Sequence, residues 1–160
     1  DSDHKRLPPN FKFDSRIAVK KGDLLVSRAC GSRELVGSTA LVQNIGYNLI
    51  LSDKNFRLLT RPLVDRSFLN YSMNSFHYRR QIDPKISGAD GLPNNIPGAK
   101  LKEIIFPLPP LDEQAAIAEH LSNLIKEIAT CVSLAESQIN SLKTLRSTLI
   151  AHAVTGKIKV

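Results

Sequence analysis

The sequence predicts an α+β protein: a mixed α/β domain followed by one long α-helix. Three features predict it. Short apolar runs broken by turn residues fill the first 110 positions, a proline-rich stretch closes them, and an uninterrupted helical pattern follows.

Taken in order, "KKGDLLVSRA" sets Lys21-Gly22-Asp23 as a turn and Leu24 to Val26 as a short strand. Gly31, Gly37 and Gly46 punctuate the next segment, so Thr39 to Gln43 and Tyr47 to Leu51 read as strands around a turn at Asn44-Ile45-Gly46. Residues 61–82 read as one helix. Pro62 suits its first turn, and Leu63, Phe68, Leu69, Met73 and Phe76 fall near one face. "SGADGLPNNIPGA" is turn material, with Asn94 and Asn95 as turn formers that bond their own backbone. "KLKEIIFPLP" reads as a last strand, stopped where Pro107, Pro109 and Pro110 remove the ladder donors.

Beyond Leu111 the pattern is helical, with Asp112 as expected N-cap and Glu113 and Gln114 in the first turn. A strict heptad runs Ile117, Leu121, Leu124, Ile128, Cys131, Ala135, Gln138, Leu142, Leu145, Leu149, His152. Nine of these eleven are apolar, and no proline or glycine intervenes before Gly156. A helix of about 40 residues is roughly 60 Å long. It is too long to bury its stripe on a domain of this size, so the expectation is pairing with another long helix. Folding back onto its own domain is the alternative.

The net charge of +7 lies entirely in the first part: residues 1–110 carry 17 Lys+Arg against 10 Asp+Glu, and residues 111–160 carry 5 of each. A basic domain beside a neutral helix points to a polyanion for the domain and to protein for the helix, although a plain basic surface would look the same. No run approaches the roughly 20 apolar residues of a membrane span, and "DSDHKRLPPN" lacks the core of a signal peptide. The expectation is a cytoplasmic chain without membrane contact. Cys30 and Cys131 lie far apart and read as ordinary buried or half-buried thiols.

Catalytic patterns are missing. There is no GxSxG elbow, HExxH or phosphate-cradling GxxxxGK[ST] loop, and the four histidines are scattered. Neither proline pair forms the Asn/Asp-Pro-Pro-aromatic loop of amino-methyltransferases. The expected catalytic residues, metal ligands and cofactors are therefore none. What remains is cationic. Arg28 and Arg33 bracket the glycine- and serine-rich "RACGSR", where Ser32 and the guanidiniums could reach phosphates or guanine edges. "FHYRRQIDPK" mixes Tyr78 with Arg79, Arg80 and Lys85, as expected where a protein follows a phosphate backbone. Lys54 and Arg57 are weaker candidates. A solvated turn or an ordinary helix end is the rival reading for each.

"GDLLVSRACGSRELVG", "IPGAKLKEIIFPLPPLDEQAAIAEHL" and "LIAHAVTGKIKV" together resemble the specificity subunit of type I DNA restriction-modification systems. The PLPPL-x-EQ-x-x-I junction is the most specific of these stretches. The resemblance implies a DNA target-recognition domain over residues 1–110, a conserved spacer and dimerisation helix over 111–153 and a tail over 154–160. It implies that two such helices pair as an antiparallel coiled coil, spacing two recognition domains that each read one half of a bipartite site in double-stranded DNA. It further implies that the helices dock methyltransferase (modification) subunits, which restriction subunits join, and that the specificity subunit is not an enzyme.

Two departures stand out. The family carries two recognition domains and two helices, and this chain has one of each. The start, without Met, also suggests that N-terminal strands precede Asp1. The expectation is the carboxy-terminal part of a longer subunit, or a half-subunit that pairs as a homodimer. The resemblance carries over no base-reading residue. The competing readings are a coiled-coil adaptor whose basic domain binds RNA or an acidic protein, and a nuclease or methyltransferase with an unrecognised site. On the first reading Arg79→Ala would weaken DNA binding, and Leu124→Asp would break helix pairing.

Overall fold

The computed structural model describes residues 7, 8, 10–46, 48–88 and 93–158. It is mixed α and β with small antiparallel sheets and a long carboxy-terminal helix, as expected. The chain divides into two compact units, Asp1–Ala115 and Ala116–Val160.

The first unit is built around β1 (Leu24–Ser27), the central strand of a three-stranded antiparallel sheet. It is flanked by β3 (Thr39–Leu41) and β4 (Asn55–Leu58). The period-2 side-chain alternation of a strand turns Leu24 and Val26 inward, where both are fully buried. Val26 stands opposite Thr39 on one side and Phe56 on the other. A second, two-stranded sheet pairs β2 (Ala29–Cys30) with β5 (Asn94–Asn95). The core joins Val26, Val36, Met73, Tyr78, Ile82, Ile86 and Ile96, with Phe56, Leu69 and Phe106 packed against it.

Several expectations are corrected. The single helix over 61–82 is two helices, α1 (Arg66–Ser72) and α2 (Phe76–Ile82), with Pro62 ahead of both. Local capping wins over the long apolar face: Asp65 accepts from Phe68 N at 2.7 Å and Ser75 from Tyr78 N at 3.3 Å, so each starts its own helix. The strand expected over Thr39 to Gln43 stops at Leu41. Of the strand expected over Tyr47 to Leu51, only an isolated bridge between Ile50 and Ala18 forms; Tyr47 lies outside the described residues.

Asn94 and Asn95, read as turn formers, are β5, whereas residues 89–92 lie outside the described residues. The last strand does not form. Gly98–Leu101 is a short helix, α3, and the segment behind it is held by a side chain instead of a ladder. The Gln81 amide donates to Ile105 O at 2.9 Å and accepts from Ile105 N at 3.0 Å, supplying both bonds that a neighbouring strand would make.

The long helix, α4, runs Leu111–Val154, 44 residues. It starts one residue before Asp112, which lies in the first turn and is not the cap; the first bond runs from Gln114 N to Pro110 O at 3.0 Å. Within the first unit, Gln114 is buried to 1% exposure and fully employed. It accepts from Asp65 N at 2.9 Å and donates to Leu63 O at 3.1 Å and Pro109 O at 2.7 Å. The first turn of α4 is thereby fastened to the segment that caps α1. The heptad leucines Leu124, Leu142, Leu145 and Leu149 are exposed in the single chain. Cys30 is half-buried, as expected, whereas Cys131, expected to be buried or half-buried, is exposed; both are free thiols.

Gly37 has φ +85°, and a Cβ there would lie 2.1 Å from Ile82 Cδ1 and 3.0 Å from Tyr78 Oη. Gly37→Ala is expected to cost about 2–5 kcal/mol in urea unfolding, from left-handed strain plus overpacking. Gly31→Ala, which meets nothing within 4 Å, should stay within about 0.5 kcal/mol of the parent. Gln114→Ala removes the partner of three part-buried backbone groups and leaves a cavity at a buried side chain, and should cost about 1–3 kcal/mol by the same measurement.

Candidate nucleic-acid interface

The cations singled out by sequence divide into those that hold the fold together and those that face outward. Arg79 belongs to the first kind. From α2 its guanidinium donates to Arg33 O at 3.1 Å, Glu34 O at 2.8 Å and Val36 O at 2.9 Å, and it pairs with Asp83 at 2.5 Å. A guanidinium with five donors can satisfy several carbonyls at once, which a lysine cannot. Arg79 is therefore a brace for the loop carrying Ser32 and Arg33, and Arg79→Ala is expected to loosen that loop rather than to remove one DNA contact.

Tyr78, read from sequence as a surface group, is 2% exposed. Its hydroxyl donates to Gly37 O at 2.7 Å, its ring stacks on Phe106 at 5.7 Å, and burial pushes its pKa well up. The contrast with its neighbours follows from helix geometry: on α2, Tyr78 and Ile82 are four residues apart and share the inward face.

Arg57 is also structural. It donates to Arg16 O at 2.8 Å and Ala18 O at 2.5 Å, and its Nε lies 3.0 Å from Asp23 Oδ2, close enough to pair although the N–H is not aimed at it. Lys85 pairs with Glu103 at 2.9 Å, and Lys100 does the same from the other side. These two ammonium groups hold the Glu103 carboxyl below its ordinary range, Lys100 first. The pair therefore persists at neutral pH and is lost as acid protonates the carboxylate.

Arg28, Ser32, Arg33, Lys54 and Arg80 are exposed. Arg28 and Lys54 are brought together by the backbone: Arg28 N donates to Lys54 O at 2.7 Å, and Ala29 N to the same oxygen at 3.2 Å. Ser32 makes no capping bond with its hydroxyl. Arg33 donates to Asp83 O at 2.7 Å, which ties it to the turn after α2. Arg80 lies over the Phe76 ring at 5.9 Å. Sequence reasoning missed Phe56 and Asn94. Phe56 carries the Arg28 guanidinium at 5.3 Å from its ring centre, and Asn94 donates to Gly31 O at 3.1 Å, fixing the glycine loop. No strand was read over 55–58, so the pairing that sets Phe56 opposite Val26 was not visible for the first. Nothing local marked the second, because its partner is 63 residues away.

Among the described residues no group of three or more His, Cys, Asp or Glu is placed to hold a metal, and no helix is long and apolar enough to cross a membrane. The arrangement offers mixed cationic and hydroxyl groups on loops braced from behind, suited to binding phosphates and base edges.

Residues 8–138 match the family model described as the type I restriction modification DNA specificity domain. The chain is 28% identical over 152 residues to the EcoKI specificity subunit of Escherichia coli K12, covering 95% of this chain and 32% of that protein. It is 26% identical over the same length, with the same coverage, to the StySPI specificity subunit of Salmonella potsdam. To the MjaVIII specificity subunit of Methanocaldococcus jannaschii it is 24% identical, over 91% of this chain and 33% of that one. The chain thus spans about a third of the length of these relatives. Since the family model takes in both the basic unit and most of α4, the chain belongs to the type I restriction-modification DNA specificity domain family.

Proposed function

We propose that this chain is a non-catalytic DNA-recognition portion of a type I restriction-modification specificity subunit, reading one half of a bipartite site in double-stranded DNA. The observation that carries the reading is the family match over residues 8–138, and the confinement of the net positive charge to residues 1–110 supports it. Arg28, Ser32, Arg33, Lys54 and Arg80 are the proposed contacts. Tyr78 and Arg79 hold the loop that carries Ser32 and Arg33, and Arg57 and Lys85 are engaged within the fold.

In this reading α4 is the spacer helix. It pairs through Ile117, Leu121, Leu124, Ile128, Cys131, Ala135, Leu142, Leu145 and Leu149 with an equivalent helix, from the same longer subunit or from a second copy, and it docks methyltransferase subunits. Charge favours antiparallel pairing. Asp112, Glu113, Glu119 and Glu127 outnumber Lys126 in the first half of α4, whereas Lys143 and Arg146 outnumber Glu136 in the second. Running two copies in opposite directions sets acidic half against basic half and opposes their helix dipoles.

Binding to duplex DNA, followed by fluorescence anisotropy, is expected to weaken steeply with salt as phosphate contacts release counterions. Salt-insensitive or absent binding, with the methyltransferase subunit added, would overturn the reading. Preference for single-stranded RNA over duplex DNA in competition would favour an RNA-binding adaptor instead. Leu124→Asp is expected to abolish helix pairing by placing a charge in the seam, read as loss of the oligomer in light scattering, with DNA contacts of the basic unit unchanged.

A further inference from the structure

The exposed cations of the basic unit are not equivalent, and the difference lies in what holds each of them. Lys54 is an ammonium on a flexible stem, able to meet a phosphate from many directions. Arg33 spends part of its fork on Asp83 O. Arg80 rests on Phe76, but that ring is itself 72% exposed and offers no fixed base.

Arg28 differs from all three. Its guanidinium lies over Phe56, 5.3 Å from the ring centre, and Phe56 is packed against the core opposite Val26. Its backbone is tied on both sides, N to Lys54 O at 2.7 Å and O to Ile96 N at 2.9 Å. Its guanidinium donates to no acceptor among the described residues, and the ring holds it from one face. A planar fork held by stacking loses little freedom on binding, and its parallel donors match the O6 and N7 acceptors on the major-groove edge of guanine.

We infer that Arg28 reads a guanine in the bound duplex, with neighbouring Lys54 on the phosphate backbone. The inference rests on the proposed DNA-reading role and adds to it a named base and a division of labour between two adjacent residues.

The test is selection from a randomised duplex pool by the full chain, with the methyltransferase subunit added, followed by sequencing of the bound fraction. The parent should enrich a consensus containing a guanine whose preference falls roughly tenfold or more in Arg28→Lys, which keeps the charge and loses the fork. Arg28→Gln should move the preference at that same position towards adenine, whose N6 and N7 suit an amide. Lys54→Ala should leave the consensus intact and lower the slope of log affinity against log salt by about one. Thermal unfolding confirms that each variant is folded, and either Arg28 variant alone suffices. A consensus unchanged at every position in a folded Arg28 variant would overturn the guanine assignment and leave the DNA-reading role standing. If the parent enriches no sequence at all, the DNA-reading role itself falls.

Discussion

The candidate surface depends on one arrangement, the grip of α2 on the loop between β2 and β3. Tyr78 and Arg79 are adjacent on that helix and act on the same loop in different ways. The tyrosine fills the core beneath it and donates to Gly37 O, and the arginine takes the carbonyls of Arg33, Glu34 and Val36. A loop of this kind has backbone acceptors that no strand neighbour satisfies, and left alone it would sample many shapes. Four donors from two neighbouring side chains remove that freedom, and Gly37 is the point where only a residue without a Cβ lets Ile82 and Tyr78 come close enough.

The brace also changes what the charge of the domain means. Counting Lys and Arg treats every cation as available to a polyanion, yet Arg57, Arg79 and Lys85 each face a carboxylate or a set of carbonyls within the unit. Neutralised pairs contribute little to the field felt at a distance. The outward-facing cations are fewer: Arg33 lies on the loop that Arg79 holds, Arg28 and Lys54 on segments joined by a backbone bond, and Arg80 on α2 itself. Bracing contacts and outward exposure are thus divided among residues of one chemical type, and the division follows from what each side chain finds within reach.

How much of this was legible in the sequence varied with the range of the interactions involved. The central strand and α4 were readable because their signals are local and periodic: an apolar run after a glycine turn, and a heptad kept over eleven positions. The break between α1 and α2 was readable in principle from Asp65 and Ser75, but the apolar face running through both helices masked it. The strand expected at 100–109 failed because Gln81, 24 residues away, supplies the hydrogen bonds that a ladder would have supplied. The burial of Tyr78 and the bracing contacts of Arg79 were illegible for the same reason. The loop carbonyls they bond lie more than 40 residues earlier, and a basic-aromatic cluster looks alike whether it faces solvent or core.

The junction before α4 shows how proline and glutamine divide a mechanical task. Pro107, Pro109 and Pro110 restrict φ and remove donors, so this stretch cannot extend a sheet, and they offer no side-chain group to pair with the backbone of Leu63 and Asp65. Gln114 supplies what the prolines cannot. One turn into α4 its amide reaches back to Pro109 O and across to Leu63 O and Asp65 N, engaging a residue whose carboxylate caps α1. A glutamate could accept from Asp65 N but could not donate to the two carbonyls, and a leucine could do neither, so both donor and acceptor character are needed at this buried position. The first turn of α4 is therefore part of the basic unit's hydrogen-bond network, and its start is set by a side chain as much as by the prolines ahead of it.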